Sequence, residues 1–313
     1  MDTGTEAAGY RSRFGGCWPD RSDAADRLQE RLGAGTLTEE QAARLRFWME
    51  RGYVILEGAV STELVDEVTA DVERAWQGEL PSVWVEYRSY HVQRLSRARA
   101  ELRGRAAKML DLYVDSEAAR QAMHAPAICE FLSLVFEEAP LGFQSLTFNR
   151  GSEQPVHQDT AYVRVSSPMK LAAAWIALED ITPGSGELVY YEGSHEIEEY
   201  VFEGEHKHLP DGYPNHDRYL ASLHEKSRAR NLELKSFLPK KGDALIWSAD
   251  LAHGGAPITT DATRKSYVIH YCPVSCDPGY FDREEVEHSE KIEHASGGYY
   301  CHTIQGRREL PEG

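Results

Sequence analysis

Residues Lys170–His195 read KLAAAWIALEDITPGSGELVYYEGSH. An apolar run of strand length, LAAAWIAL, meets a turn rich in Pro and Gly, and a second run, ELVYYEGS, follows it. This is a strand, a Gly-rich turn and another strand. The same texture extends on both sides from Leu141 onward: FQSLTFNR, PVHQDTAYV, LKSFLP, DALIW and KSYVIHYCPV are short β-rich runs divided by Gly, Pro and Asp. Many short strands with turn signals between them predict an antiparallel sandwich or barrel.

Upstream of Leu141 the pattern is helical. Thr38 followed by Gln41 forms a capping-box signature, Leu45, Trp48 and Met49 recur at helical spacing, and Gly52 ends the segment. YVIL is a short strand. A second helix begins near Ser61, with Leu64, Val65, Val68, Val72 and Trp76 on one face, and two more flank Pro126. The expected organisation is a loose tail over 1–22 and one domain over 23–313. That domain has a helical part to about 140 and a β core over about 141–275. A polar insertion over about 196–232 is long for a connection in a compact fold, and we expect it to be functional or mobile.

The 313 residues carry a formal net charge of -17, which disfavours nucleic acid and anionic membrane as partners. No apolar run approaches the roughly 20 residues of a membrane span. The N-terminus lacks the apolar core of a signal peptide, so a cytoplasmic location is expected. Five scattered cysteines, Cys17, Cys129, Cys272, Cys276 and Cys301, fit free thiols rather than a disulfide framework.

Within QPVHQDTAYV (154–163), His157 and Asp159 stand one residue apart. On a strand, positions i and i+2 share a face, so both can reach one metal ion. An isolated H-x-D is ordinarily a hydrogen-bonded pair near a strand end. Later features change the balance. GDALIWSADLAHGGAPI places His253 after a β-rich run, with Gly254 and Gly255 permitting close backbone approach to a metal or cosubstrate. TRKSYVIHY sets Arg264 at the start of a strand. Two histidines and a carboxylate with open positions form the facial triad of non-haem Fe(II) oxygenases, and an arginine is suited to grip a carboxylate.

From about Gly52 to Pro273 the chain resembles the phytanoyl-CoA dioxygenase family of Fe(II)/2-oxoglutarate oxygenases. The resemblance is carried by HQD, AAWIALEDITPGSGELVYYEGSH, GDALIWSADLAHGG and TRKSYVIHY. It implies a mainly β fold with α: a double-stranded β-helix (jelly-roll, cupin-like) core with N-terminal helices packed on it. It implies Fe(II) on His157, Asp159 and His253, and 2-oxoglutarate and O2 as cosubstrates. Arg264 would pair with the distal carboxylate of 2-oxoglutarate, with Ser266 as a second donor, and Gln144, Leu146 and Trp175 would line the cosubstrate pocket. The implied activity is hydroxylation of an unactivated C–H bond of a small-molecule metabolite, with release of succinate and CO2. Desaturation or cyclisation on the same iron, a non-catalytic jelly-roll binding protein and a different metal enzyme on a cupin-like barrel are the alternatives.

One departure from the family pattern is Glu192, where proline is commoner in the PGSH turn; His195 in that turn reads as structural. Outside the core, WVEYRSYHVQ offers Trp84, Tyr87, Tyr90 and His91 as substrate contacts. The basic run Arg94, Arg97, Arg99, Arg103, Arg105 and Lys108 reads as a solvated helix face, or else as a site for a substrate carboxylate or phosphate.

Overall fold

The computed structural model describes residues 9–89, 92–103, 107–279 and 290–301. The helical part comprises α1 (Ala24–Gly33), α2 (Glu39–Arg51), α3 (Thr62–Trp76), α4 (Glu117–Met123) and α5 (Pro126–Phe136). Strand β1 (Tyr53–Leu56) lies between α2 and α3. Strands β2 (Trp84–Ser89), β3 (Val92–Arg97) and β4 (Ala107–Leu110) lie between α3 and α4. The core continues as β5 (Pro140–Phe148), β6 (Ala172–Ala177), β7 (Leu188–Tyr191), α6 (His216–Ala229), β8 (Leu234–Phe237), β9 (Ala244–Ser248), β10 (His253–Gly255) and β11 (Ser266–Pro273). The last two strands described are β12 (Lys291–Glu293) and β13 (Tyr299–Cys301).

The strands form two sheets. The larger runs β1-β9-β6-β11-β5-β4-β2-β3, with β13 added alongside β5; the smaller runs β10-β7-β8. This is the expected jelly-roll core. No helix among the described residues is long and apolar enough to cross a membrane.

Period-two alternation explains how the larger sheet serves two cores. On β6, Ala172, Ala174 and Ile176 face the helices, while Ala173, Trp175 and Ala177 face the second sheet. On β11, Tyr267, Ile269 and Tyr271 join the helix-facing core, where Tyr267 Oη donates to the Ala119 carbonyl and Tyr271 Oη to the Met123 carbonyl of α4, while Val268 turns inward. Both faces are covered, so AAAWIA is an unbroken apolar run rather than an alternating one.

The local signals in the helical part hold. Thr38 Oγ1 accepts from the Gln41 N–H at 3.1 Å, and Gln41 Oε1 accepts from the Thr38 N–H at 3.0 Å. Gly52 closes α2 at φ +80°, and a Cβ there would strike the His195 ring. His195 Nε2 in turn lies 3.0 Å from the Met49 carbonyl. Glu192 has a reason to replace proline: it accepts from Tyr53 Oη at 2.7 Å and pairs with Arg51 and Lys235, tying β7 to β1.

Two expectations change, and the insertion gains definition. Residues 9–22 are not loose: Trp18 is buried and donates its indole N–H to the Leu134 carbonyl at 2.7 Å. The basic run is not a helix face. Arg94 and Arg97 lie on β3 and Lys108 on β4, where Lys108 pairs with Glu86 at 2.7 Å; Arg105 lies outside the described residues. The 196–232 insertion carries α6 and an apolar cluster of Ile197, Phe202, Tyr219 and Leu223, which packs on Ala161. The five cysteines are buried, and no disulfide joins them among the described residues.

The reciprocal cap at Thr38 contributes on its own account, because its hydroxyl satisfies an orphan N–H at an exposed helix end. Thr38→Ala should destabilise the fold by about 1 kcal/mol, seen as a lower urea midpoint with an unchanged slope. Thr38→Ser should sit near wild type.

Candidate active site

His157 and His253 are brought together by the backbone. The His157 N–H donates to the His253 carbonyl at 2.8 Å, and the His253 N–H returns a bond to the His157 carbonyl at 2.9 Å. His253 opens β10 and pairs with Tyr190 of β7. His157 belongs to no longer strand, and Asp159 does not share a strand face with it. After this single bridge the chain turns into a 3-10 segment, Asp159–Ala161, closed by the Tyr162 and Val163 N–H groups on the Asp159 carbonyl. The strand expected over 155–163 is therefore a bridge plus a turn.

Asp159 Oδ1 lies 3.7 Å from His157 Nε2 and 3.6 Å from His253 Nε2. One ligand atom from each of the three residues falls within 4.8 Å of the others, close enough for a single ion to span. Each histidine is prepared for this. Nδ1 of His157 meets the Pro155 carbonyl at 2.8 Å, and Nδ1 of His253 meets the Leu251 carbonyl at 2.8 Å. A carbonyl can only accept, so Nδ1 carries the proton and the Nε2 lone pair is free for a metal. Gln154 Nε2, a donor 3.1 Å from His157 Nε2, fits the same tautomer. Trp247 Nε1 donates to Asp159 Oδ2 at 2.7 Å, which leaves Oδ1 as the atom turned to the histidines.

Electrostatics favour the ligating forms. Burial, with the His253 ring close by as the next contribution, pushes the His157 pKa down from 6.5 to about 3. Burial alone would raise Asp159, but the imidazoles of His253 and His270 outweigh it and hold the carboxyl well below its usual range. At neutral pH His157 is neutral and Asp159 is anionic.

The triad residues line a cavity of about 1060 Å³. Arg264 lines it too, only 3 % exposed, its guanidinium over the rings of Phe148 and Trp175. Its Nη1 donates to Ser266 Oγ at 3.2 Å, its Nε is buried without a partner, and among the described residues no carboxylate forms an ion pair with it. Burial lowers its pKa to about 10, against a smaller opposite pull from Glu187. A buried cation with an unused N–H is suited to an incoming carboxylate.

Gln144, Leu146 and Trp175 also line the cavity, and the Trp175 indole N–H is unpartnered. Gln144 is half-buried, so its amide opens on the cavity rather than into the packed interior. Ser266 is fully buried and holds the guanidinium instead of lining the cavity. Trp84 and Tyr87 are not brought to the site: Tyr87 is buried in the helix-facing core, and Trp84 lies under the Arg97 guanidinium at 4.2 Å. Their strand neighbour Glu86, with Arg94 and Lys108, faces the cavity instead. Tyr90 and His91 lie outside the described residues.

Sequence reasoning missed two residues here. His270 Nε2 lies 3.6 Å from Asp159 Oδ1, and counting by twos along β11 from Ser266 would have found it. Trp247 carried no sequence signal for its bond to Asp159. The two glycines after His253 also act differently from expectation. A Cβ on Gly254 would come within 2.7 Å of the Gln154 carbonyl and 3.0 Å of the Val156 backbone, so the space it leaves is taken by the His157 segment.

The model of the phytanoyl-CoA dioxygenase (PhyH) family matches residues 48–266. Mouse peroxisomal phytanoyl-CoA dioxygenase (Mus musculus) is 23 % identical over 261 residues, covering 80 % of this chain and 73 % of its own. Among solved structures, the non-haem α-ketoglutarate-dependent epimerase SnoN from nogalamycin biosynthesis superposes with a TM-score of 0.56 at 17 % identity, over 76 % of this chain and 84 % of its own. EctD from S. alaskensis with bound Fe gives 0.54 at 19 %, over 76 % and 78 %.

Two outcomes follow from this geometry. Gly254→Ala should force the two histidine segments apart and cost about 1–3 kcal/mol, read as a lower unfolding midpoint. In metal-free protein the unfolded chain protonates His157 near 6.5 while the folded chain resists until about 3. Stability should therefore fall as pH drops through that window, and His157→Asn should flatten the decline.

Proposed function

The chain belongs to the phytanoyl-CoA dioxygenase family, an Fe(II)- and 2-oxoglutarate-dependent oxygenase family, and from that membership we propose that it hydroxylates an unactivated C–H bond of a small-molecule metabolite. His157, Asp159 and His253 hold the iron, and Arg264 holds the distal carboxylate of 2-oxoglutarate. The observation that carries this reading is the buried Arg264 guanidinium, without an ion-pair partner among the described residues, in the cavity that also receives the triad. A metal site alone would not require it.

When bound, iron and 2-oxoglutarate supply the oxidising power, with O2 consumed and succinate and CO2 released. The chain's own residues do the rest. The Pro155 and Leu251 carbonyls fix the two imidazole tautomers, and Trp247 presents one carboxylate oxygen of Asp159. Phe148 and Trp175 keep water from the guanidinium, so its bonds to a carboxylate act in a low-dielectric setting. Tyr162, Tyr213 and His216 form part of the cavity wall, with Tyr162 Oη 2.7 Å from His216 Nε2. They are candidates to touch the substrate.

The carboxylate of Asp159 supports oxygen transfer over halogen transfer. With iron bound, this carboxylate would fill the place that a halide would otherwise need. Desaturation or ring closure is the second reading. It follows if the substrate carbon is held away from the transferable oxygen.

Substrate-stimulated succinate formation across a metabolite panel should identify the reaction, and His157→Ala should abolish it. Arg264→Lys trades a two-point grip for a point charge. It should raise the 2-oxoglutarate requirement roughly tenfold to hundredfold while metal binding stays near normal. Product made under 18O2 with excess chloride should carry the label. A chlorinated main product would refute the reading, and loss of two hydrogens without label would favour desaturation or cyclisation.

A further inference from the structure

We propose that Lys207, on the insertion, is a positioning residue for the metal-bearing turn: it holds Asp250 so that Asp250 can clamp the segments that carry Asp159 and His253. Lys207 is only 2 % exposed. Its Nζ donates to Asp250 Oδ2 at 2.6 Å and to Glu199 Oε1 at 3.1 Å. The other oxygen of Asp250 accepts from Thr160 Oγ1 at 2.6 Å, and the Asp250 carbonyl accepts from Gln158 Nε2 at 2.7 Å. Thr160 and Gln158 flank Asp159 directly, and Asp250 lies three residues before His253. One carboxylate therefore joins both histidine-bearing segments, and a lysine from the insertion balances its charge.

Further bonds run from the insertion to the same turn, besides the Tyr162–His216 contact. The Leu209 N–H donates to the Ala161 carbonyl at 2.9 Å, and Tyr219 Oη accepts from the Gln158 N–H at 3.1 Å. Ala161 is packed among Phe202, Tyr219 and Leu223. The insertion is thus built onto the back of the turn that presents Asp159. Burial works against a charged lysine, yet Asp250 and Glu199 outweigh it and hold the Lys207 pKa above its ordinary value. Without that cation, Asp250 would be a buried carboxylate supported by a neutral hydroxyl. Water would be drawn in beside it, and its hold on Thr160 would loosen.

The metal arm of the test rests on the iron reading above; the exchange arm does not. In metal-free protein, hydrogen exchange should be followed at the His157, Ala161, Tyr162, Val163 and His253 amides, all of which are bonded within or across the turn. Lys207→Met should speed exchange there, and apparent Co(II) affinity, read by absorbance, should fall about tenfold or more. Lys207→Met with Asp250→Asn removes both charges and should recover part of each loss. Thr160→Val cuts the same network without touching a charge, so it should give the same signature even if Lys207→Met fails to fold. Wild-type exchange at these amides in both single variants, with faster exchange confined to 196–232, would overturn the proposal and leave Lys207 a brace of the insertion alone. If wild-type protein binds no Co(II) but the turn still loosens in the variants, the iron reading fails and the positioning role stands.

Discussion

The site depends on a pair of backbone hydrogen bonds. His157 and His253 each donate to the other's carbonyl, and this two-bond bridge sets the distance between two imidazoles that are 96 positions apart (253 − 157). The side chains add direction. Carbonyls at Pro155 and Leu251 turn the rings, and Trp247 turns the carboxylate. The bridge needs a bare backbone beside it, which is why Gly254 has no room for a Cβ. Geometry at the Nε2 atoms is thus fixed by main-chain bonds and packing before any ion contributes.

Two buried cations near the cavity are treated in opposite ways. Lys207 meets two carboxylates, and Arg264 meets a serine hydroxyl and two aromatic faces. A fully satisfied charge stabilises a single arrangement. An incompletely satisfied one stores binding capacity for a ligand of opposite sign. On the roles proposed above, the difference separates a brace from a receptor, although both residues are almost equally buried.

Much of the fold was legible because local rules and tertiary packing agreed. The cap at Thr38, the αL residue at Gly52 and the doubly buried run on β6 all stand in the structure as their residues suggest. The candidate site was legible through residue type and resemblance: His157, Asp159, His253 and Arg264 do meet at one cavity, although not by the strand spacing that first paired His157 with Asp159. Legibility failed where the outcome depends on partners distant in sequence. QPVHQDTAYV reads as a strand, but Leu209, Tyr219 and Asp250 hold its HQD as a turn. Trp84 and Tyr87 look like ligand-binding aromatics, yet strand alternation and the Arg97 contact bury them elsewhere. Lys207 was one charge in a polar stretch, and nothing local marked it as buried.

The strand order also bears on how the chain folds. Strand β1, near the N-terminus, pairs with β9, matching Tyr53 with Trp247, and β5 pairs with β11, matching Phe148 with Ser266. These are contacts of very high sequence separation, so loop-closure entropy must be met before they give any return. The helices are in the same position, because the face they bury against is made by β6, β9 and β11. A nascent chain that has not yet emitted residue 248 lacks the partner of its first strand and part of the sheet face against which its helices bury. Closure of the sheet is therefore a late event in synthesis, and chaperone demand should peak just before it.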